Sequence, residues 1–191
     1  LIQGEGPGEQ LSEVELLQNC IFLLNAGHET TTNLIGNALV ALHEHPAVRA
    51  QLLQRLAAGD DVAVLDRAVD EFLRFESSNQ LGNRRAVRDT RLGDVDLPAG
   101  TLVTLCIGAA NRDPAQFTDP EVLDIGREPN KHLAFGFGIH QCAGLSLARL
   151  EGRIAIGRFL RRFPAYRLTA APARGGRARF RGFLAAPFTA G

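Results

Sequence analysis

The segment from Ser12 to Pro46 constrains the fold more than any other part of this sequence. Ser12 and Glu15 have the spacing of a capping box, which marks the start of a helix. Apolar residues then recur at helical intervals until Pro46 stops the pattern: Leu16, Leu17, Ile21, Leu24, Leu34, Ile35, Leu39 and Leu42. The pattern predicts one helix of about 30 residues, about 45 Å long at 1.5 Å per residue. A helix of that length crosses a whole domain, so the other elements must pack around it.

The other periodicities are shorter and predict a mainly α fold with small β-sheets. Three further segments have helical periodicity: residues 47–57, 62–75 and 145–163. Strands and turns are predicted in three: residues 84–108, with a β-branched run at 101–107, and the tail segments 166–169 and 180–188. Residues 1–10 and 109–141 lack periodicity and are predicted to be loops. Long ordered loops such as 109–141 are usually functional.

Charge, hydropathy and cysteine content exclude several classes of function. The 21 basic and 21 acidic residues give no net charge, so nothing attracts nucleic acid. The longest apolar stretches, 20–24 and 102–110, are shorter than the roughly 20 residues of a membrane span. The sequence has three cysteines: Cys20, Cys106 and Cys142. Their odd number does not fit a disulfide framework, and their wide spacing does not fit a zinc site. We therefore expect a cytoplasmic protein with no nucleic-acid partner and no membrane segment.

A lone cysteine, Cys142, lies between a glycine-rich loop and a predicted helix. Residues 135–144 read Phe-Gly-Phe-Gly-Ile-His-Gln-Cys-Ala-Gly. The N-terminus of a helix favours thiolate over thiol, and the glycines let a flat prosthetic group approach the backbone. The pattern predicts a protected thiolate ligand; the alternative is a cysteine that acts as a small buried hydrophobe. A Rossmann phosphate loop is excluded because Gln141 occupies the position of its third glycine.

The middle of the long helix contains a polar patch of poor helix formers, Ala-Gly-His-Glu-Thr-Thr-Thr at residues 26–32. The Thr30 hydroxyl can bond the Ala26 carbonyl one turn earlier, which bends a helix and opens a groove. Glu29 beside it offers an acid that can relay protons. The alternative is a threonine run that is simply packed. A zinc motif H-E-x-x-H is excluded because Thr32 replaces its second histidine.

The loop at residues 135–144 resembles the F-G-x-G-x-H-x-C-x-G haem-binding signature of the cytochrome P450 family. The resemblance implies haem b as cofactor, with Cys142 as the axial ligand whose thiolate pushes electron density towards O–O cleavage. It also implies that His140 contacts a haem propionate. Phe135 is expected to shield the sulfur, and Gly136 belongs to the same cofactor-binding loop.

Two further motifs resemble this family and occur in its order. Residues 26–31 resemble A-G-x-[DE]-T-[TS], on the helix that crosses the distal face of the haem. This implies that Glu29 and Thr30 are catalytic and deliver protons to dioxygen. Residues 84–89 resemble R-x-A-x-x-D, which implies that Arg84 contacts the second propionate, with Arg85 as a competitor.

Glu71 and Arg74 form an E-x-x-R pair, spaced to meet on one helix face. Such pairs usually lie on a solvated surface. In the family, however, this pair joins an arginine from the irregular segment, and residues 124–127 resemble that segment. The resemblance therefore implies a structural triad of Glu71, Arg74 and Arg127.

The resemblance covers essentially all of residues 1–191 but only the C-terminal, haem-binding half of one cytochrome P450 domain. It implies a long distal helix, an E-x-x-R helix, an irregular meander, the cysteine loop and a proximal helix. We expect the N-terminal half to be absent, and the lack of any methionine agrees with a fragment.

The implied function is that of a bacterial haem-thiolate monooxygenase. It would insert one atom of dioxygen into a small apolar organic substrate, with electrons from a ferredoxin-type or flavoprotein donor. Arginines of the last helix offer a positive surface to an acidic donor, with a solvated face as the alternative: Arg149, Arg153, Arg158, Arg161 and Arg162. Two alternatives stay open, a peroxide-driven or isomerase member of the family and a truncated fragment that cannot hold haem.

Overall fold

The computed structural model describes residues 10–59 and 61–191. The loop predicted at residues 1–10 therefore lies outside the described residues, except for Gln10. The helices are α1 (Glu13–Glu44), α2 (Pro46–Ala57), α3 (Asp61–Phe75), α4 (Ile107–Ala110), a 3-10 helix (Gly138–His140) and α5 (Leu145–Arg162). The strands are β1 (Leu81–Arg85), β2 (Thr90–Leu92), β3 (Val95–Leu97), β4 (Leu102–Cys106), β5 (Arg167–Leu168), β6 (Ala173–Arg174), β7 (Phe183–Ala185) and β8 (Phe188–Thr189). The predicted fold class, mainly α with small sheets, is confirmed.

The long helix α1 is continuous over 32 residues. Its capping box is formed: the Ser12 hydroxyl accepts from the Glu15 N–H at 3.3 Å, and the Glu15 carboxylate accepts from the Ser12 N–H at 2.9 Å. The hydrogen bond from the Ser12 backbone lowers the pKa of Glu15 below its usual value. The buried residues of α1 all lie between Thr31 and Leu42. The helix is thus anchored in the core by its C-terminal part.

The hydrophobic core forms where α1, α2, α3 and α5 meet. Its fully buried members include Leu34, Leu42, Leu52, Val64, Val69, Phe72, Ile156 and Leu160. Burying one such side chain stabilises the fold by about 1.5–3 kcal/mol. Gly152 lets α5 approach closely, because a Cβ there would lie 3.1 Å from Leu34 Cδ2 and 3.4 Å from Val69 Cγ1. No helix of the described residues is long and apolar enough to cross a membrane.

The described strands form four two-stranded antiparallel sheets: β1 with β4, β2 with β3, β5 with β8 and β6 with β7. Strand β1 begins at Leu81, earlier than predicted, since its pairing with β4 in the register Leu81↔Cys106 outweighs weak local propensity. The pairing ends there, so Ile107 starts α4 and does not extend the strand. Strand β6 in the tail was not predicted.

A buried ion pair ties α3 to the irregular segment. Arg74 donates from Nε to Glu71 Oε2 and from Nη2 to Glu71 Oε1, both at 2.8 Å, and both side chains are fully buried. Arg127 joins them, with its Nε 3.2 Å from Glu71 Oε2. The surface-pair alternative is therefore wrong for Glu71 and Arg74. The structure brings the three members of the predicted triad together.

The remaining N–H groups of Arg74 bind backbone carbonyls of the irregular segment. They reach the oxygens of Asn111 at 2.9 Å, Pro120 at 2.8 Å and Val122 at 3.0 Å. Because a buried guanidinium with unmatched donors is costly, these bonds fix the path of a segment that has no periodicity of its own.

Tyr166 joins the end of α5 to α1. Its hydroxyl donates to the Leu39 carbonyl at 2.6 Å, and its ring packs edge-on against Phe159 at 5.1 Å between centroids. The carbonyl of Tyr166 accepts from Arg49 Nη1 at 2.8 Å. Burial raises the pKa of the Tyr166 phenol to about 12.

Arg74→Ala should lower the free energy of unfolding of the full-length protein by about 3–5 kcal/mol, because it removes the bidentate partner of the buried Glu71 carboxylate and leaves Arg127 as its remaining cation. Arg158→Ala on the exposed side of α5 is the control and should change it by less than about 0.5 kcal/mol. Urea denaturation measures both. A loss for Arg74→Ala no larger than that of the control would contradict the buried network.

Tyr166→Phe should lower the free energy of unfolding by about 1 kcal/mol at neutral pH, through loss of the bond to Leu39. Because folding raises this pKa, the stabilisation by the neutral phenol is complete below pH 10 and is lost as the pH rises towards 12. The variant should therefore lose less stability over this alkaline range. Urea denaturation of the parent and the variant at neutral and alkaline pH tests this. Equal losses of stability at alkaline pH in the two proteins would refute the role assigned to the Tyr166 hydroxyl.

Candidate functional site

Cys142 lies at the end of a closed loop that leads into α5. The Cys142 N–H donates to the Phe135 carbonyl at 2.8 Å, which joins the two ends of the loop. Gly136 and Gly138 have φ angles of +70° and +74°, a region that favours glycine. The glycines are therefore required by the closure of the loop itself. The closed loop presents the Cys142 thiol on the surface, three positions before Leu145 starts the helix.

Two large apolar side chains of the cysteine loop are exposed. Phe137 and Ile139 are 82% and 97% exposed, and they lie in the same loop as Cys142. In contrast, Phe135 is half-buried and packs against the hydrophobic core. Phe135 thus supports the loop from the core side, while Phe137 and Ile139 offer an apolar face to a ligand.

The donor set at this loop fits haem and not a metal ion held by protein alone. Within the described ranges, no group of three or more His, Cys, Asp or Glu residues is arranged to hold a metal ion. Cys142 therefore offers a single sulfur donor, which suits an iron whose other ligands come from a macrocycle. The apolar exposed side chains of the loop suit the face of such a flat group. The residues present fit haem b.

The two residues expected to contact propionates are both exposed. His140 ends the 3-10 helix, and Arg84 lies on β1 with its Nη1 2.8 Å from the Asn83 carbonyl. Arg84 and Arg85 are neighbours on one strand, so their side chains point to opposite faces of the sheet. Only one of them can face a given ligand.

The polar patch of α1 uses its hydroxyl groups locally. Thr30 Oγ1 donates to the Ala26 carbonyl at 2.8 Å, as the sequence suggested. Thr32 Oγ1 makes the equivalent bond to the His28 carbonyl, also at 2.8 Å. Both bonds are made one turn back within an unbroken α1.

Glu29 forms an ion pair with Arg177, in the connection between β6 and β7. Arg177 could not be predicted from the sequence, because nothing in the pattern of a glycine- and arginine-rich tail shows which helix it approaches. The Glu29 side chain is 32% exposed, while its Oε1, which faces Arg177, is buried. The structure thus joins the acid of the polar patch to the C-terminal tail.

Two asparagines, neither of them a predicted site residue, connect the buried ion pair to the segment that leads into the cysteine loop. Asn130 Nδ2 donates to Glu71 Oε2 at 3.1 Å. The fully buried Asn111 accepts from the Leu133 N–H at 2.7 Å and donates to Ser77 Oγ at 2.7 Å. The segment that enters the loop is therefore held at both positions. Their only sequence signal is an amide within a long aperiodic segment.

The basic residues of α5 are divided between two roles. Arg149 Nε lies 2.7 Å from Asp70 Oδ1, and Arg153 Nη1 lies 3.1 Å from Asp66 Oδ2. These two arginines bind α3 and are not available as a uniform positive surface. The exposed arginines lie further along the helix: Arg158, Arg161 and Arg162. The expected basic surface is therefore smaller than the sequence suggested.

Sequence comparisons identify relatives over most of this chain. A model described as Cytochrome P450 matches residues 1–166. Cytochrome P450 107B1 of Saccharopolyspora erythraea is 46% identical over 173 residues, which are 90% of this chain and 41% of the relative. The biotin biosynthesis cytochrome P450 of Bacillus subtilis is 46% identical over 160 residues, 84% of this chain and 39% of the relative.

Structural comparisons agree. Substrate-free CYP109E1 from Bacillus megaterium has a TM-score of 0.91 at 35% identity, over 98% of this chain and 48% of that one. P450BioI in complex with hexadec-9Z-enoic acid ligated acyl carrier protein has a TM-score of 0.89 at 42% identity. This match covers 95% of this chain and 46% of that one. The chain therefore spans less than half the length of these relatives. It belongs to the cytochrome P450 family, a family of haem proteins that includes monooxygenases.

Proposed function

We propose that this chain is the haem-binding part of a haem-thiolate monooxygenase that uses dioxygen and electrons from a redox partner to oxygenate a small apolar organic substrate. The observation that carries the proposal is the exposed Cys142 thiol in a closed, apolar, glycine-rich loop at the start of α5. When bound through its iron to this thiolate, haem b supplies the activation of dioxygen.

The proposed contacts to the cofactor come from the cysteine loop and from strand β1. Cys142 donates the thiolate, and the bond from its N–H to the Phe135 carbonyl holds the sulfur in place. His140 and Arg84 supply exposed cationic or hydrogen-bonding groups for the two propionates. Gly136, with its φ of +70°, allows the tight turn of the cysteine loop.

Glu29 and Thr30 are the proposed proton carriers. The Thr30 hydroxyl proton is engaged by the Ala26 carbonyl, so its oxygen is an acceptor until the hydroxyl rotates. When the hydroxyl rotates away from the Ala26 carbonyl, it can donate its proton to another acceptor. Glu29, whose side chain is 32% exposed beside Arg177, can then take a proton from solvent and pass it on.

The substrate class is inferred from a relative, and the electron donor from the charge on α5. The acyl carrier protein on P450BioI bears hexadec-9Z-enoic acid, a long apolar chain, which supports an apolar substrate here. The exposed arginines at the end of α5 support an acidic ferredoxin-type or flavoprotein donor. Location in the cytoplasm stays a prediction from cysteine usage.

A second candidate is that this chain by itself holds no haem. The observation that favours it is the exposed apolar surface on the N-terminal part of α1, where Leu17, Phe22 and Leu24 are 56%, 67% and 72% exposed. Patches of this kind need a covering partner. The presence of both proposed proton carriers, Glu29 and Thr30, favours a monooxygenase over the peroxide-driven and isomerase alternatives.

Cys142→Ala tests the ligand. The full-length protein, loaded with haem, reduced and exposed to carbon monoxide, should show the strongly red-shifted band of thiolate ligation, and the variant should lack it. Cys106→Ala in β4 is the matched control, an exposed cysteine outside the loop, and should keep the band. The same red-shifted band in Cys142→Ala would overturn the assignment. The same spectra of residues 1–191 alone decide whether this chain holds haem by itself.

Thr30→Ala tests proton delivery. Product formed per electron consumed should fall by about 10-fold or more, with hydrogen peroxide released instead. Thr32→Ala is the matched control, because Thr32 makes the same bond one turn back on the same helix. Reductant consumption, product and peroxide are measured together with a substrate first identified by its shift of the haem spectrum. Equal coupling in the two variants would refute the role of Thr30.

A further inference from the structure

Asp70 lies beside Glu71 on α3 but binds a different part of the molecule. Its Oδ1 accepts hydrogen bonds from His132 Nε2 at 3.3 Å and from Arg149 Nε at 2.7 Å. His132 precedes the cysteine loop, and Arg149 lies on α5 after it. One carboxylate oxygen therefore links the two segments that flank Cys142.

The His132 ring is held from both sides. Its side chain is only 2% exposed, and its Nδ1 accepts from the Ala134 N–H at 3.2 Å. Since Nδ1 is an acceptor, the proton of a neutral His132 is on Nε2 and is donated to Asp70. Burial raises the pKa of Asp70, but the hydrogen bonds from His132 and Arg149 outweigh it, so the pKa falls below its usual value. Asp70 is thus the ionised acceptor of both donors.

The two donors of Asp70 both contact the Phe135 ring. The centroid of the His132 ring lies 5.8 Å from that of Phe135, and the Arg149 guanidinium carbon lies 5.0 Å from the Phe135 centroid. These are distances of aromatic and cation–π contact. The carbonyl of the same Phe135 accepts from the Cys142 N–H. A continuous set of contacts therefore leads from Asp70 to the sulfur ligand.

We propose that Asp70 is a positioning residue for the Cys142 ligand, because it clamps His132 and Arg149 on Phe135 and so fixes the carbonyl that binds the Cys142 N–H. The inference rests on the proposed haem-thiolate function. Residues that orient a metal ligand from behind, without touching the metal, typically contribute about 10- to 100-fold to metal affinity or activity.

The chain contains its own matched control. Asp66 lies one turn before Asp70 on α3 and pairs with Arg153, one turn after Arg149 on α5, at 3.1 Å. The two ion pairs join the same two helices, but the Asp66 pair lies one turn further from the loop. A purely structural role would make the two aspartates equivalent.

The experiment compares Asp70→Asn and Asp66→Asn in the full-length haem protein. We measure the rate of haem transfer to an excess of a haem-scavenging protein and the share of the red-shifted band in the reduced carbon monoxide complex. Asp70→Asn should lose haem about 10-fold faster and show a smaller share of the red-shifted band. Asp66→Asn should stay within about twofold of the parent in both.

Each outcome decides between the two proposals. If the parent shows the red-shifted band and the two variants lose haem equally fast, the role of Asp70 is refuted while the haem-thiolate function stands. If the parent shows no such band, both proposals fall. Should Asp70→Asn not fold, Arg149→Lys against Arg153→Lys replaces the pair, because lysine keeps the charge but loses the planar contact with Phe135. Faster haem loss in Arg149→Lys alone supports the proposal, and equal rates refute it.

Discussion

The buried pair of Glu71 and Arg74 is the interaction on which the rest of this structure depends. Removing two charges from water costs several kcal/mol for each ion, and their mutual attraction offsets this only when their other donors and acceptors are also satisfied. Here Glu71 and Arg74 find these additional partners in Arg127, in Asn130 and in backbone carbonyls of the irregular segment. The segment has its shape because it must deliver those groups.

Helix α3 holds the cysteine loop from two directions. Consecutive residues of a helix point about 100° apart, so Asp70 and Glu71 face different neighbours. Glu71 binds the irregular segment through Arg127 and Asn130, whereas Asp70 binds His132 ahead of the loop and Arg149 behind it. The thiol itself is exposed, but the backbone that presents it is fixed by charges on one buried helix.

Helix α1 has a buried part that anchors it and a polar patch that carries the proposed catalytic residues. Its C-terminal residues are packed into the core, and Tyr166 binds the carbonyl of Leu39 there. The polar patch with Glu29 and Thr30 precedes the buried part, where the threonine hydroxyl groups bond to their own helix. The patch is therefore positioned by a helix that is anchored elsewhere, and the ion pair between Glu29 and Arg177 joins it to the tail.

The sequence by itself determined what depends on neighbours along the chain. The capping box at Ser12, the Thr30 bond to Ala26 and the bounds of α1, α2, α3 and α5 to within about one residue follow from local spacing, and the motifs indicated the family. Only the tertiary structure decided which distant groups meet: Arg177 at Glu29, Asn111 and Asn130 at the loop, Asp70 at His132, and Arg149 and Arg153 turned towards α3. The physical reason is that ion pairs and amide bonds are set by distance in space, and a long aperiodic segment has no spacing rule from which that distance can be read.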